Sequence, residues 1–201
     1  MNNPKWLVFD LGGVLADYVG GSRMRLWMRE PVEQDEFNRR WLFSPTVRAL
    51  ESGQMEFQEF AESIIGELDL AVDLENFLRE FPHFVTGYFP GAEALLQALS
   101  GRYKLAMLSN TNAPQWAELC RISSADKLLD RIFLSFRMGL LKPDPEVFRH
   151  VVKELGCAPQ EIMFFDDNAH NVQGAAQCCI RAVQVKSFIN MREIITQMKL
   201  L

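Results

Sequence analysis

Five short, largely apolar runs punctuate this chain and constrain its fold more than any other feature. They are Trp6-Leu7-Val8-Phe9, Leu105-Ala106-Met107-Leu108, Arg131-Ile132-Phe133-Leu134, Ile162-Met163-Phe164-Phe165 and Ala182-Val183-Gln184-Val185. None alternates cleanly between apolar and polar residues, so each predicts a strand covered on both faces, as in a parallel sheet. Helical patterns fall at roughly 90–100, 113–122, 145–155, 168–179 and 187–199. Strand and helix in this alternation predict an α/β fold with a doubly wound parallel sheet.

The stretch from about Asp17 to Thr86 breaks the alternation. The spacing of Phe57, Phe60, Ile64, Ile65 and Leu68 predicts amphipathic helix, and nothing there reads convincingly as a strand. The expected organisation is a core of residues 1–16 and 87–201, interrupted by a small all-helical insertion over 17–86. Trp27, Trp41 and Phe43 are expected in the core of that insertion, with some free to face a ligand.

Composition narrows the class of function. At 201 residues, 48% hydrophobic and 23% charged, the chain can bury a full core without disulfides. Cys120, Cys157 and the adjacent Cys178 and Cys179 match no zinc or redox spacing, so four free thiols are expected. A net charge of −5 argues against a nucleic-acid partner. No apolar run approaches the roughly 18 residues of a membrane span. Only four apolar residues follow Met1-Asn2-Asn3-Pro4-Lys5, too few for a signal-peptide core. The expectation is a cytoplasmic protein, monomeric or weakly self-associating, with no membrane partner.

In parallel α/β sheets ligands bind beyond the carboxyl ends of the strands. The first run ends in Asp10, the second in Ser109-Asn110 and the fourth in Asp166-Asp167, while Lys142 follows the third. One carboxylate at a strand end means little. Four ends converging on Asp, Ser, Lys and Asp-Asp predict a site for phosphoryl transfer, which needs a nucleophile, a charge-bridging metal and donors to the phosphoryl oxygens.

Those segments carry a resemblance. Phe9-Asp10-Leu11-Gly12-Gly13-Val14-Leu15, Leu108-Ser109-Asn110-Thr111-Asn112, Lys142-Pro143 and Phe165-Asp166-Asp167-Asn168-Ala169-His170-Asn171-Val172 resemble the four ordered motifs of the haloacid dehalogenase superfamily. Within it, Ser-Asn-Thr-Asn and Phe-Phe-Asp-Asp-Asn-Ala-x-Asn are most similar to the bacterial α-D-glucose-1-phosphate phosphatase branch. The resemblance implies a Rossmann-like core, a helical cap after the first strand, and Mg²⁺-dependent hydrolysis of a small phosphorylated metabolite. Asp10 would be nucleophile and metal ligand, Gly12 a ligand through its carbonyl, Asp167 a direct ligand and Asp166 a ligand through water. Ser109 and Asn110 would bind the phosphoryl group, and Lys142 would neutralise both it and Asp10. Asn171 is expected either to orient Asp167 or to cap structure, and His170 to lie at the surface.

One departure matters. Most phosphatases of this superfamily carry an aspartate two positions after the nucleophile, which protonates the leaving alcohol; here that position is Gly12. Three expectations remain open. The leaving group could be acidic enough to need no help, as in a sugar 1-phosphate; another carboxylate such as Asp17 could serve; or hydrolysis could be vestigial in a phosphate-binding, regulatory domain. A dehalogenase, in which Asp10 attacks carbon without a metal, is a further rival.

Overall fold

The computed structural model describes residues 3–201; Met1 and Asn2 of the N-terminal segment discussed above lie outside the described residues. The chain runs β1 (Trp6–Phe9), β2 (Ala16–Tyr18), α1 (Gly20–Trp27), α2 (Gln34–Phe43), α3 (Pro45–Glu51), α4 (Phe57–Glu67), α5 (Leu74–Glu80) and β3 (Val85–Tyr88). It continues through α6 (Ala92–Ser100), β4 (Lys104–Ser109), α7 (Ala113–Ile122), β5 (Arg131–Leu134) and α8 (Ser135–Met138). It ends with α9 (Pro145–Leu155), β6 (Ile162–Asp166), α10 (Ala169–Gln177), β7 (Arg181–Gln184) and α11 (Phe188–Gln197).

All five predicted strands form one sheet in the order β5-β4-β1-β6-β7, parallel at every pairing. Buried strands without alternation need apolar cover on both faces, and they have it. Leu7, Phe9, Met107 and Phe165 point into one layer with Leu96 of α6 and Ile195 of α11. Val8, Leu108 and Phe164 point into the other, with Val147, Phe148 and Val151 of α9. The chain leaves β1 for β4 on one side and later reaches β6 on the other. The crevice at this reversal of strand order opens directly over the end of β1.

The helices between β2 and β3 bury a separate apolar cluster that includes Met24, Phe37, Val47, Phe60, Phe77 and Phe81. Phe81 stacks on Phe77 at 5.2 Å between ring centroids and lies 5.3 Å from the Phe60 ring. Trp27 and Trp41 pack against this cluster as expected. Phe43 does not; it is 72% exposed.

The expectation of no strand in the inserted stretch is corrected at its two ends. β2 and β3 pair antiparallel as a two-stranded ribbon where the chain enters and leaves the helices. Each has three or four residues, β2 has two of three exposed, and the register shifts between Asp17 and Tyr18. Segments that short and irregular show no readable period. All four cysteines are free, and among the described residues no helix is long and apolar enough to cross a membrane.

Candidate active site

Strand pairing fixes the first site residue. The Asp10 N–H donates to the Phe165 carbonyl at 2.9 Å, so the β1–β6 ladder extends onto Asp10 and aims its carboxylate into the crevice. Ser109 ends β4 and Asp166 ends β6 at the same edge of the sheet, and both are buried.

Lys142 arrives from the loop after α8, its side chain 1% exposed. Its ammonium lies 2.7 Å from Asp10 Oδ1 and 2.7 Å from Asp166 Oδ2. The loop is held by Asn110, whose amide donates to the Lys142 carbonyl and whose Oδ1 accepts the Lys142 N–H, both at 2.9 Å. The Asn110 side chain is therefore committed to positioning Lys142, which leaves its main-chain N–H for any phosphate.

Asp166 is saturated. Besides Lys142 it accepts the Asn168 N–H at 2.8 Å, and the Asn171 amide bridges both its oxygens at 3.0 and 3.1 Å. Of the two roles expected for Asn171, orienting Asp167 is not the one it fills: α10 begins at Ala169 with Asn168 as its cap, which turns the Asn171 amide onto Asp166. Hydrogen bonds to a charged group contribute about 1.5–3 kcal/mol. Asn171→Ala is accordingly expected to lower unfolding free energy by that amount in a urea titration.

Asp10, Asp166 and Asp167 each bring an oxygen within 4.8 Å of the others. Burial pushes the Asp10 carboxyl up to about 7; Lys142 opposes this, while Asp166 and Asp167 add to it. Asp167 is also raised, by burial and by Asp166. Burial would discharge Lys142, but its two carboxylate partners outweigh that and hold the ammonium above its ordinary value. Three carboxyls facing one cation leave an excess of negative charge, and a hard divalent ion with oxygen ligands fits it. Gly13 lets the turn close on this cluster: its φ is +74°, and a Cβ there would sit 2.7 Å from Asp167 Oδ2.

The crevice opens into a cavity of about 710 Å³ whose floor includes Asp10, Ser109, Lys142 and Asp167. Met24, Phe37, Trp41 and Val47 supply apolar wall from the helical segment, and Arg39, Arg48 and Glu51 supply polar wall. Exposed His170 lies at its edge. Asp17 is turned away, exposed on β2, where it accepts the Thr86 hydroxyl at 3.1 Å. Glu51 was not singled out from the sequence. It sits in a segment without a motif, and only the packing of α3 brings it to the strand ends.

A family model of haloacid dehalogenase-like hydrolases matches residues 4–178. A D-ribitol-5-phosphate phosphatase of Bacteroides thetaiotaomicron is 26% identical over 207 residues, covering 96% of this chain and 97% of the relative. An (S)-2-haloacid dehalogenase of Burkholderia cepacia is 29% identical over 194 residues, covering 89% and 81%. Among solved structures, a haloacid dehalogenase family enzyme of B. thetaiotaomicron, in complex with magnesium and inorganic phosphate, superposes with a TM-score of 0.73. It is 23% identical, over 92% of this chain and 96% of that one.

Proposed function

Because the chain belongs to the haloacid dehalogenase-like hydrolases, we propose that it is a Mg²⁺-dependent phosphomonoester hydrolase acting on a small sugar phosphate of the hexose 1-phosphate kind. One observation carries the reading: Asp10, Lys142 and the Asp166–Asp167 pair converge on one crevice, beneath a cavity of about 710 Å³ that can take such a ligand. Residues 1–16 and 87–201 form the catalytic core in this reading, and 17–86 is a cap that closes the cavity and excludes bulk water.

Asp10 attacks phosphorus, the alcohol departs, and an acyl phosphate forms on the Asp10 carboxyl. Water then attacks the same phosphorus, releasing inorganic phosphate and restoring the carboxylate; two easier displacements replace one hard one. Lys142 fixes the carboxylate through Oδ1 and offsets charge on the phosphoryl oxygens. Ser109 Oγ and the Asn110 N–H donate to those oxygens. Mg²⁺ would be held by Asp10, Asp167 and the Gly12 carbonyl, with Asp166 acting through water, and would supply the positive charge that lets a carboxylate approach an anionic ester. Asp166, already accepting from Lys142, Asn168 and Asn171, suits an indirect role.

The test is phosphate release from a panel of sugar phosphates with and without Mg²⁺, with Asp10→Asn as control. Metal-dependent release from at least one ester, lost in the variant, is expected. Background release from every ester would sink the reading and favour a phosphate-binding domain without turnover.

Metal binding has its own readout. A ligand at 100 times its Kd stabilises a fold by about 2.7 kcal/mol, which for a chain of this size is roughly 5–10 °C in Tm. Mg²⁺ is expected to raise the melting temperature on that scale, and Asp167→Ala to abolish the rise.

A further inference from the structure

The hydrolysis proposed above leaves one chemical need unmet. An alkoxide is a poor leaving group, so an ordinary alkyl ester needs a proton delivered to its bridging oxygen as the P–O bond breaks. Gly12 has no side chain, the Lys142 ammonium is shared between two carboxylates, and Asp17 faces away.

Glu51 meets that need by position. It is the last residue of α3 and lies half-buried in the cavity wall. It is near enough to Lys142 and Asp10 to feel the charge of both. Glu51, Gly12, Tyr18 and Asp10 all line this one cavity. The end of α3 is docked firmly. Gly53, two residues on, has a φ of +71°, and a Cβ there would overlap the Phe136 carbonyl oxygen on α8. Arg48, one turn before Glu51, reaches Asp144 at 2.9 Å on the core side.

We infer that Glu51, resting on the phosphatase reading, is the proton donor to the departing alcohol and then the base for the attacking water, replacing the side chain that position 12 lacks. As the bond from phosphorus to the ester oxygen breaks, the Glu51 proton passes to that oxygen, and the product leaves as ROH. In the second step the Glu51 carboxylate takes a proton from water as its oxygen bonds to phosphorus, which regenerates the acid and frees phosphate from Asp10. Burial raises the Glu51 carboxyl to about 7, where an acid can serve in both forms near neutrality. Tyr18 is the rival at this edge, but a phenol ordinarily titrates near about 10, far above neutrality, which makes it a weaker donor than a carboxyl.

The experiment measures kcat/KM against leaving-group acidity, from aryl to alkyl phosphates, for the wild type, Glu51→Gln, Glu51→Asp and the double variant Glu51→Gln with Gly12→Asp. Melting temperatures check that each variant folds. The expected result is a shallow dependence for the wild type and a steep one for Glu51→Gln. The loss should be on the order of 10²-fold for alkyl esters and within about tenfold for the most acidic leaving group. Glu51→Asp, which keeps the acid, should fall between them. Room at position 12 means that Gly12→Asp in the Glu51→Gln background should flatten the dependence again. A Glu51→Gln enzyme with the wild-type slope, whatever its absolute rate, overturns the inference while leaving Asp10 chemistry intact. Asp10→Asn turning over as fast as the wild type would remove the phosphatase reading and the inference with it.

Discussion

Asp10→Asn is expected to lower Mg²⁺-dependent phosphate release by about 10⁴-fold or more, while the protein still folds. Removing a nucleophile that forms a covalent intermediate removes the pathway itself, and such losses dwarf those of any single auxiliary contact. The fold should tolerate the change. Asparagine is nearly isosteric, its Oδ1 can still accept from Lys142, and Lys142 keeps Asp166 at 2.7 Å. Replacing the Asp10 carboxyl also removes the repulsion it feels from Asp166 and Asp167. Phosphate release and a melting curve on the same preparation separate the two effects. Equal loss of both would make Asp10 a structural residue instead.

Lys142→Met is expected to fail in both respects. The ammonium is 1% exposed between Asp10 and Asp166, so its removal strands two buried carboxyls. Removing one partner of such a group destabilises by about 3–5 kcal/mol, roughly 10 °C in Tm for a chain of this length. Turnover should fall about 10³-fold through loss of charge at the phosphoryl group. Two controls identify the cause. Mg²⁺ should recover part of the lost stability, because it restores positive charge to the same cluster. The double variant Lys142→Met with Asp10→Asn should be less destabilised than the sum of the singles, because the second change removes one stranded charge.

The sheet was legible because strands buried on both faces must be apolar throughout. Leu7, Val8 and Phe9 are all within 1% of full burial, and with Pro4 before them and Gly12-Gly13 after they make the short bounded apolar run expected of a central strand. The site was legible for a related reason: at the end of such a run, a residue like Asp10 or Asp166 stands out against its neighbours. Features that depend on how one element packs on another were not readable. Asn171 needed the true start of α10, set by the Asn168 cap, before it could be assigned to Asp166. Nothing in the sequence announces that the Asn110 side chain holds the Lys142 backbone, 32 positions away, and leaves its main-chain N–H free to face a phosphate. Glu51 lies 41 positions from Asp10 in a helical stretch whose periodicity reports its own apolar cluster and says nothing of what its polar edge overhangs. The β2–β3 ribbon is too short for any pattern.

The central claim is that the Asp10 carboxyl takes up the phosphoryl group, and it can be read chemically. Borohydride reduces an acyl phosphate to an alcohol, so quenching a turning-over sample with it and mapping the peptides by mass spectrometry locates the intermediate. The account predicts homoserine in place of aspartate at position 10, formed only when Mg²⁺ and a hydrolysable ester are both present. An unmodified Asp10 under conditions of steady phosphate release, or reduction at a different carboxyl, would contradict it.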